Sequence, residues 1–126
     1  MEIIKKQINK NLIKINLGTA INSENSDVIG SVELDIETQA QFIEMINTLL
    51  DAKNLHIILD MSNISYIDSS GLWSLFESHK KAEQKLGKIV LLNPTKDVLR
   101  VLEITKMSTK IAVFTNEKEA IKTFAA

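Results

Sequence analysis

Three polar side chains and a glycine stand in succession at Asp68-Ser69-Ser70-Gly71. A serine hydroxyl can act as a nucleophile, accept a phosphoryl group or accept a hydrogen bond from a backbone N–H group. The apolar residues at 55–60 predict a buried strand. After the run, the residues Leu72, Leu75, Phe76, His79, Ala82 and Leu86 recur at helical spacing within about a 120° arc and predict one buried helical face. A helix therefore begins at or near the serines. Its first turn has unpaired N–H groups and the positive end of the helix dipole, which stabilise a side-chain oxygen or a phosphate.

This run has two interpretations. Asp and Ser are preferred N-cap residues, and a cap contributes about 1 kcal/mol. A capping box would place Glu or Gln three residues later, but Leu72 and Trp73 stand at that distance from the two serines. Capping also needs only one polar side chain, and Gly71 lets another backbone approach closely. The additional polar groups indicate a surface that another molecule contacts or modifies.

A serine hydrolase is the first alternative function. The nucleophile-elbow type needs Gly-x-Ser-x-Gly and a histidine late in the chain, but both histidines, His56 and His79, precede Leu86. His79 falls on the apolar face of the predicted helix, where a hydrogen-bonded core histidine is expected. His56 opens a predicted strand, and neither histidine has a second metal ligand at a suitable spacing. We expect no enzymatic activity, no metal site and no cofactor.

A phosphoacceptor aspartate is the second alternative, because Asp60 ends a buried strand as the acceptor of a receiver domain does. Receivers also require an acidic pair after the first strand, and residues 1–17 contain none. A nucleotide-binding module is disfavoured, since the chain has only 4 glycines and no glycine-rich phosphate loop. Acid-stable phosphate on the chain would favour a serine, and acid-labile phosphate would favour Asp60.

The sixteen residues 57–72, IILDMSNISYIDSSGL, closely resemble the signature of the STAS domain, the fold of bacterial anti-sigma factor antagonists. The resemblance continues in register through GKIVLLN at 87–93 and VLRVL at 98–102. It is looser towards the N-terminus, where the acidic position of a family segment falls on Glu33 or Asp35. The first serine of Asp-Ser-Ser-Gly is the phosphoacceptor in this family, and that position is Ser69 here.

The resemblance implies a phospho-regulated binding module rather than an enzyme. The unmodified domain would bind an anti-sigma factor that is also a serine kinase, and so free a sigma factor. Phosphorylation at Ser69 would release the kinase, and a metal-dependent serine phosphatase would reset the domain. Asp68, Ser70 and Gly71 would shape the partner-binding site. A STAS scaffold or regulatory subunit of another signalling assembly is the alternative that the resemblance leaves open.

Trp73 departs from this family, which usually carries a small residue just after Gly-Leu. It lies about 100° round the helix from Leu72, off the centre of the apolar face and on the side of Glu77 and Lys80. The indole either packs on the flank of the core or anchors a partner beside Ser69.

The composition limits the partners and the compartment. Apolar residues make up 44% of the 126 residues, enough for the core of a single domain at 1–126. A formal net charge of −1 gives no field that would attract nucleic acid or an anionic membrane. Cysteine is absent, and no apolar run is long enough for a signal peptide or for the ~20 residues of a membrane span. We expect a cytoplasmic protein.

The pattern predicts an α/β domain with a STAS-like small mixed sheet, in which an N-terminal antiparallel hairpin precedes parallel strands. About four helices should lie mostly on one side of this sheet. The predicted strands are 2–8, 12–17, 55–60, 89–92 and 111–114, and the second strand should have one wet face. The predicted helices are 38–52 with Thr38 as cap, 70–86 with Gly87 at C′, 95–105, and 117–124 with Thr115 or Asn116 as cap. Residues 18–27 are predicted to form a loop.

Overall fold

The computed structural model describes residues 3–18 and 32–124. Its elements follow in the order β1 Ile3–Asn9, β2 Leu12–Leu17, β3 Val32–Leu34, α1 Gln39–Asp51, β4 His56–Asp60, β5 Ile64–Ile67, α2 Ser69–Gln84, β6 Lys88–Leu92, α3 Lys96–Ile104, β7 Val113–Phe114 and α4 Glu117–Lys122. A 3₁₀ turn, Met107–Thr109, lies between α3 and β7. Apart from Gly18, the loop predicted at 18–27 lies outside the described residues. None of the described helices is both long and apolar enough to cross a membrane.

Five strands form the main sheet in the order β1-β2-β4-β6-β7. The hairpin β1–β2 is antiparallel, with Ile3 opposite Leu17, and every later neighbour is parallel. The central strands β4 and β6 have helices on both faces, which explains why their sequences are almost continuously apolar. The predicted mixed sheet with its N-terminal hairpin is confirmed.

The helices divide unequally between the two faces of the sheet. Side chains from α1, α2 and α3 pack on Ile57 and Leu59 in the larger core. The alternate residue Ile58 points to the other face, where it joins a smaller cluster that includes Ala120 of α4. Three of the four helices in the described part of the chain therefore share one side, as the sequence predicted.

The segment between β4 and α2, predicted as a connector, contains a strand. Ile64 and Ile67 are buried as expected, but the backbone between them pairs in parallel with β3 as a separate two-stranded sheet. The alternation expected of a strand is missing, because Ser65 and Tyr66 are both exposed. The predicted last strand is also shorter than expected, since only Val113 and Phe114 of 111–114 pair.

The end of α2 corrects the prediction for Gly87. Leu86, not Gly87, has the left-handed backbone conformation, with φ of 66°. The Leu86 N–H donates to the Glu83 carbonyl at 3.0 Å, and the Gly87 N–H donates to the Ala82 carbonyl at 2.7 Å. These are the two bonds of a Schellman motif with Leu86 at C′. Leu86 is 89% exposed and does not belong to the buried helical face to which the sequence assigned it.

Candidate functional site: the start of helix α2

Helix α2 begins at Ser69, where the sequence placed its start. Asp68 is the N-cap in an extended conformation, and its Oδ1 accepts a hydrogen bond from the Gly71 N–H at 3.0 Å. The capping interpretation is therefore right for Asp68. Ser69 is exposed, Ser70 is half-buried, and neither hydroxyl has a hydrogen-bond partner within the described ranges. Capping leaves both serine oxygens available.

Gly71 lets strand β3 approach the first turn of α2. A Cβ on Gly71 would lie 2.1 Å from the Leu34 carbonyl oxygen and 2.8 Å from Cγ1 of Ile67. The same Leu34 oxygen accepts a hydrogen bond from the Asp68 N–H at 3.3 Å. Gly71 is buried, so a partner does not contact it directly. It shapes the site by allowing the first turn of α2 to pack against β3.

The turn between β3 and α1 lies next to this site, because Leu34 immediately precedes it. Asp35 Oδ1 accepts hydrogen bonds from the N–H groups of Glu37 at 3.0 Å and Thr38 at 3.3 Å. Thr38 occupies the predicted N-cap position, but its hydroxyl makes no cap bond and donates instead to the Glu33 carbonyl at 2.7 Å. Of the two candidate acidic positions, Asp35 is thus used to start α1, and the side chain of Glu33 is exposed.

Three exposed apolar side chains lie near Ser69 in the chain or follow the strand that contacts its helix turn. Tyr66 precedes it at the end of β5, Trp73 follows it by one helical turn, and Ile36 lies two residues beyond Leu34. Tyr66 also borders a cleft of about 110 Å³ between β5 and α3. We call Ile36, Tyr66 and Trp73 the Ser69 rim. The sequence singled out Trp73 only, because Ile36 and Tyr66 fall outside any periodic apolar pattern.

Trp73 lies on the flank of α2 that faces α1 and is 53% exposed. It borders a groove of about 410 Å³ between the two helices, which we call the Trp73 groove. The other lining residues are Gln39, Ala40, Ile43, Glu44 and Asn47. The indole is off the centre of the buried face, as predicted, and half of its surface remains open to a partner.

The two histidines lie away from Ser69. His79 is 7% exposed, about 15 Å further along α2 at 1.5 Å per residue. Its Nε2 lies 3.4 Å from Glu83 Oε2, but its buried Nδ1 has no hydrogen-bond partner among the described residues, so only part of the expected bonding is present. His56, at the amino end of β4, stacks on Phe124 with a centroid distance of 5.0 Å. The arrangement lacks the base that a hydrolase needs beside its serine.

Asp60 belongs to a polar network on the α4 side of the sheet. It is 6% exposed, and its Oδ1 accepts hydrogen bonds from the Ser62 N–H at 2.9 Å and hydroxyl at 2.7 Å. Lys14 Nζ lies 3.6 Å from Asp60 Oδ2 and 2.5 Å from Glu117 Oε1. This burial and bonding leave Asp60 inaccessible, which argues against the receiver alternative.

The contact between Lys14 and Glu117 shifts the pKa values of both side chains. Burial by itself lowers the pKa of Lys14, but the hydrogen bonds and charges of Glu117 and Asp60 outweigh it and raise that pKa above its ordinary 10.5. The hydrogen bond from Lys14 lowers the pKa of Glu117 below its ordinary 4.5, and burial opposes it. Over the ranges 3–18 and 32–124, no group of three or more His, Cys, Asp or Glu side chains could hold a metal ion.

Comparison with known proteins agrees with this geometry. The family model of the STAS domain matches residues 20–120, so the chain belongs to the STAS domain family. A Listeria monocytogenes protein named anti-sigma-B factor antagonist is 24% identical over 98 residues, which are 78% of this chain and 86% of that protein.

Short segments of much larger proteins are also similar to this chain. A protein of Arabidopsis thaliana named as a sulfate transporter is 41% identical over 51 residues, which are 40% of this chain and 8% of the transporter. Among solved structures, the Bacillus cell fate determinant SpoIIAA in its phosphorylated form superposes with a TM-score of 0.66 at 21% identity, over 97% of this chain and 98% of that one. The unphosphorylated form superposes with a TM-score of 0.65. At this identity the likeness shows the fold.

Proposed function

We propose that this chain is an anti-sigma factor antagonist, a non-catalytic cytoplasmic domain that binds a serine kinase acting as an anti-sigma factor. Phosphorylation at Ser69 releases the kinase, and a metal-dependent serine phosphatase reverses the change. The observation that carries this proposal is the exposed, unbonded Ser69 hydroxyl at the first position of a helix that Asp68 caps. The Listeria relative, which matches over most of both chains, supports the antagonist role.

The switch acts through local charge. A phosphate on Ser69 adds about −1.5 to −2 charges at neutral pH, and the N–H groups and dipole of the first turn stabilise it there. The close contact between Gly71 and Leu34 fixes this turn, so the fold stays unchanged. Asp68 adds a like charge beside the phosphate. A partner that places a carboxylate or an apolar patch on the Ser69 rim is therefore repelled.

The test compares three variants in binding to the purified kinase by isothermal titration calorimetry. Ser69→Ala should bind like the unmodified domain, and Ser69→Asp should bind at least about tenfold more weakly, a difference of roughly 1.4 kcal/mol. Ser108→Asp is the matched control, since it adds the same charge at a half-buried serine of the 3₁₀ turn after α3, and it should bind like the unmodified domain. Mass spectrometry after incubation with ATP should find the phosphoryl group on Ser69. Equal binding by Ser69→Ala and Ser69→Asp would overturn the switch.

A regulatory STAS unit of another signalling assembly is the second candidate. The local identity to the sulfate transporter favours it, because that protein contains a similar segment within a far longer chain. In that case a partner identified from native lysate by mass spectrometry would be a non-kinase component, and its binding would not respond to Ser69→Asp.

A further inference from the structure

The Trp73 groove combines an apolar floor with an exposed aromatic wall. Ala40 and Ile43 of α1 line one side and Trp73 of α2 lines the other, in a volume of about 410 Å³. Trp73 follows Ser69 by one helical turn, so the groove is continuous with the Ser69 rim. A groove of this kind between two helices accommodates the side chains of a third, amphipathic helix.

The groove carries a carboxylate from α1, and a second carboxylate lies nearby on α2. Glu44 lines the groove, and Glu77 lies one turn beyond Trp73 on α2; within residues 3–18 and 32–124 neither forms an ion pair. Two lysines of α2 reach across to α1, one at Asn47, which lines the groove, and one at Asp51, beyond the groove. Lys81 Nζ donates to Asn47 Oδ1 at 3.3 Å, and Lys85 Nζ lies 3.9 Å from Asp51 Oδ1.

Lys80 lies about two turns beyond Trp73 on the same flank of α2, but it is exposed and does not line the groove. The groove thus offers the indole of Trp73 and the carboxylate of Glu44, which forms no ion pair among the described residues, and Lys81 lies at its Asn47 end. A guanidinium or ammonium group complements both, because it stacks on the face of an indole and pairs with a carboxylate.

We propose that the Trp73 groove docks a basic amphipathic helix of the partner kinase, with one Arg or Lys held between Trp73 and Glu44. An apolar side chain of the same helix packs on Ala40 and Ile43. The identity of the partner rests on the proposed function, whereas the charge and shape of the groove do not. Trp73 then helps to determine which kinase this chain accepts.

In this arrangement the groove supplies docking contacts for the kinase, and Ser69 supplies the phosphorylation switch. A phosphate on Ser69 lies about 6 Å from Trp73 along the helix axis, and it has the same sign of charge as Glu44. It therefore repels groups that contact the Ser69 rim without opposing the cation in the groove. The groove therefore contributes binding free energy in both states, and the phosphate on Ser69 weakens the complex enough to release the kinase by acting on the rest of the interface.

Calorimetry with the purified kinase and the full chain tests this docking. Trp73→Ala and Glu44→Lys should each weaken binding at least about tenfold, and the effect of Glu44→Lys should shrink at high salt. The matched controls lie on α3, where Ile104 is 73% exposed and Glu103 is exposed. Ile104→Ala and Glu103→Lys should leave Kd within about twofold.

The chain has a single tryptophan, so any signal from a labelled tryptophan reports on the surroundings of Trp73 alone. In the domain labelled with 5-fluorotryptophan, the fluorine resonance should shift when the kinase is added, and in Ser69→Asp it should shift in the same direction but only at higher kinase concentrations. An unmoved resonance, or wild-type binding by Trp73→Ala and Glu44→Lys, would overturn the docking site.

The outcomes separate the two proposals. If Ser69→Asp abolishes binding while the groove variants bind normally, the docking site is wrong and the switch stands. If Ser69→Asp and Ser69→Ala bind equally while the groove variants bind weakly, the switch is wrong and the docking site stands. Tighter binding by Glu44→Lys would overturn the cation as the group that the groove receives.

Discussion

Asp68 takes over the cap of α2 and so leaves the Ser69 hydroxyl unused. Replacing Asp68 with Ala removes the oxygen that accepts from the Gly71 N–H and should lower the free energy of unfolding by about 1 kcal/mol. Asp68→Asn keeps an oxygen that can cap and loses only the favourable charge at the helix N-terminus, so it should lose about half as much or less. Urea unfolding followed by circular dichroism measures both. Equal losses would mean that the charge, not the hydrogen bond, supports the helix start.

Gly71 is required by the backbone of β3 rather than by its own conformation. In Gly71→Ala the new methyl group would overlap the Leu34 carbonyl oxygen, 2.1 Å away, and this backbone atom cannot move aside as a flexible side chain can. We expect a loss of about 3 kcal/mol, the upper end for overpacking. Ser69→Ala, two residues away and exposed, is the control and should stay within about 0.5 kcal/mol of the wild type. A small loss in Gly71→Ala would show that β3 can shift away from α2.

At the scale of elements, the C-terminal end of α2 places an exposed leucine where glycine is preferred. Leu86 has φ of 66°, and its side chain, 89% exposed, contributes little packing. Leu86→Gly should therefore raise the free energy of unfolding by about 0.5–1 kcal/mol, the left-handed strain less the entropy that glycine loses on folding.

Gly87→Ala is the opposite test at the adjacent residue. Its Cβ would lie 2.2 Å from the Leu55 carbonyl oxygen, so this variant should be less stable than the wild type. Thermal unfolding of both single variants checks the assignment of C′. It is wrong if Leu86→Gly destabilises the protein and Gly87→Ala does not.

Local pattern was enough to predict the elements that pack by a regular period. The apolar residues of β4 and β6 and the helical spacing after Gly71 placed the central strands and the start of α2 within a residue or two. The sheet of β3 and β5 could not be predicted in this way, because each strand has three or four residues and is defined by its partner far along the chain.

The same limit applies to the candidate site. The amphipathic pattern put Trp73 off the buried face of α2, but the groove also needs the position of α1, which depends on how both helices pack on the sheet. Leu86 was assigned to the buried face because its spacing fits, although the helix has ended by then. Spacing predicts the direction of a side chain only while the helix continues.

For the molecule as a whole, α4 is held to the sheet by charge as well as by apolar contact. Lys14 was predicted to lie on a wet strand face, but α4 covers that face and brings Glu117 into contact with it. Lys14 also lies 3.6 Å from Asp60, so one ammonium group links β2, β4 and α4. The helix has only six residues, 117–122, and is too short to be stable by itself.

This link predicts a pH-dependent contribution to stability from Glu117. Its pKa is lower in the folded protein than the ordinary 4.5, so the contribution is complete above 4.5 and is lost as the pH falls through the lower, folded pKa. Glu117→Gln should therefore be less stable than the wild type at neutral pH, by up to about 1 kcal/mol for a partly exposed pair, and the difference should vanish in acid.

Glu119→Gln is the matched control for this experiment, since it removes a carboxylate from the same first turn of α4 but no ion pair with Lys14. Urea unfolding of the wild type and both variants across the acidic range gives the three stability curves. Both variants lose the same favourable interaction with the helix dipole, so the extra loss in Glu117→Gln measures the Lys14 pair. If the two curves coincide at neutral pH, the ion pair contributes nothing and apolar contact alone holds α4 on the sheet.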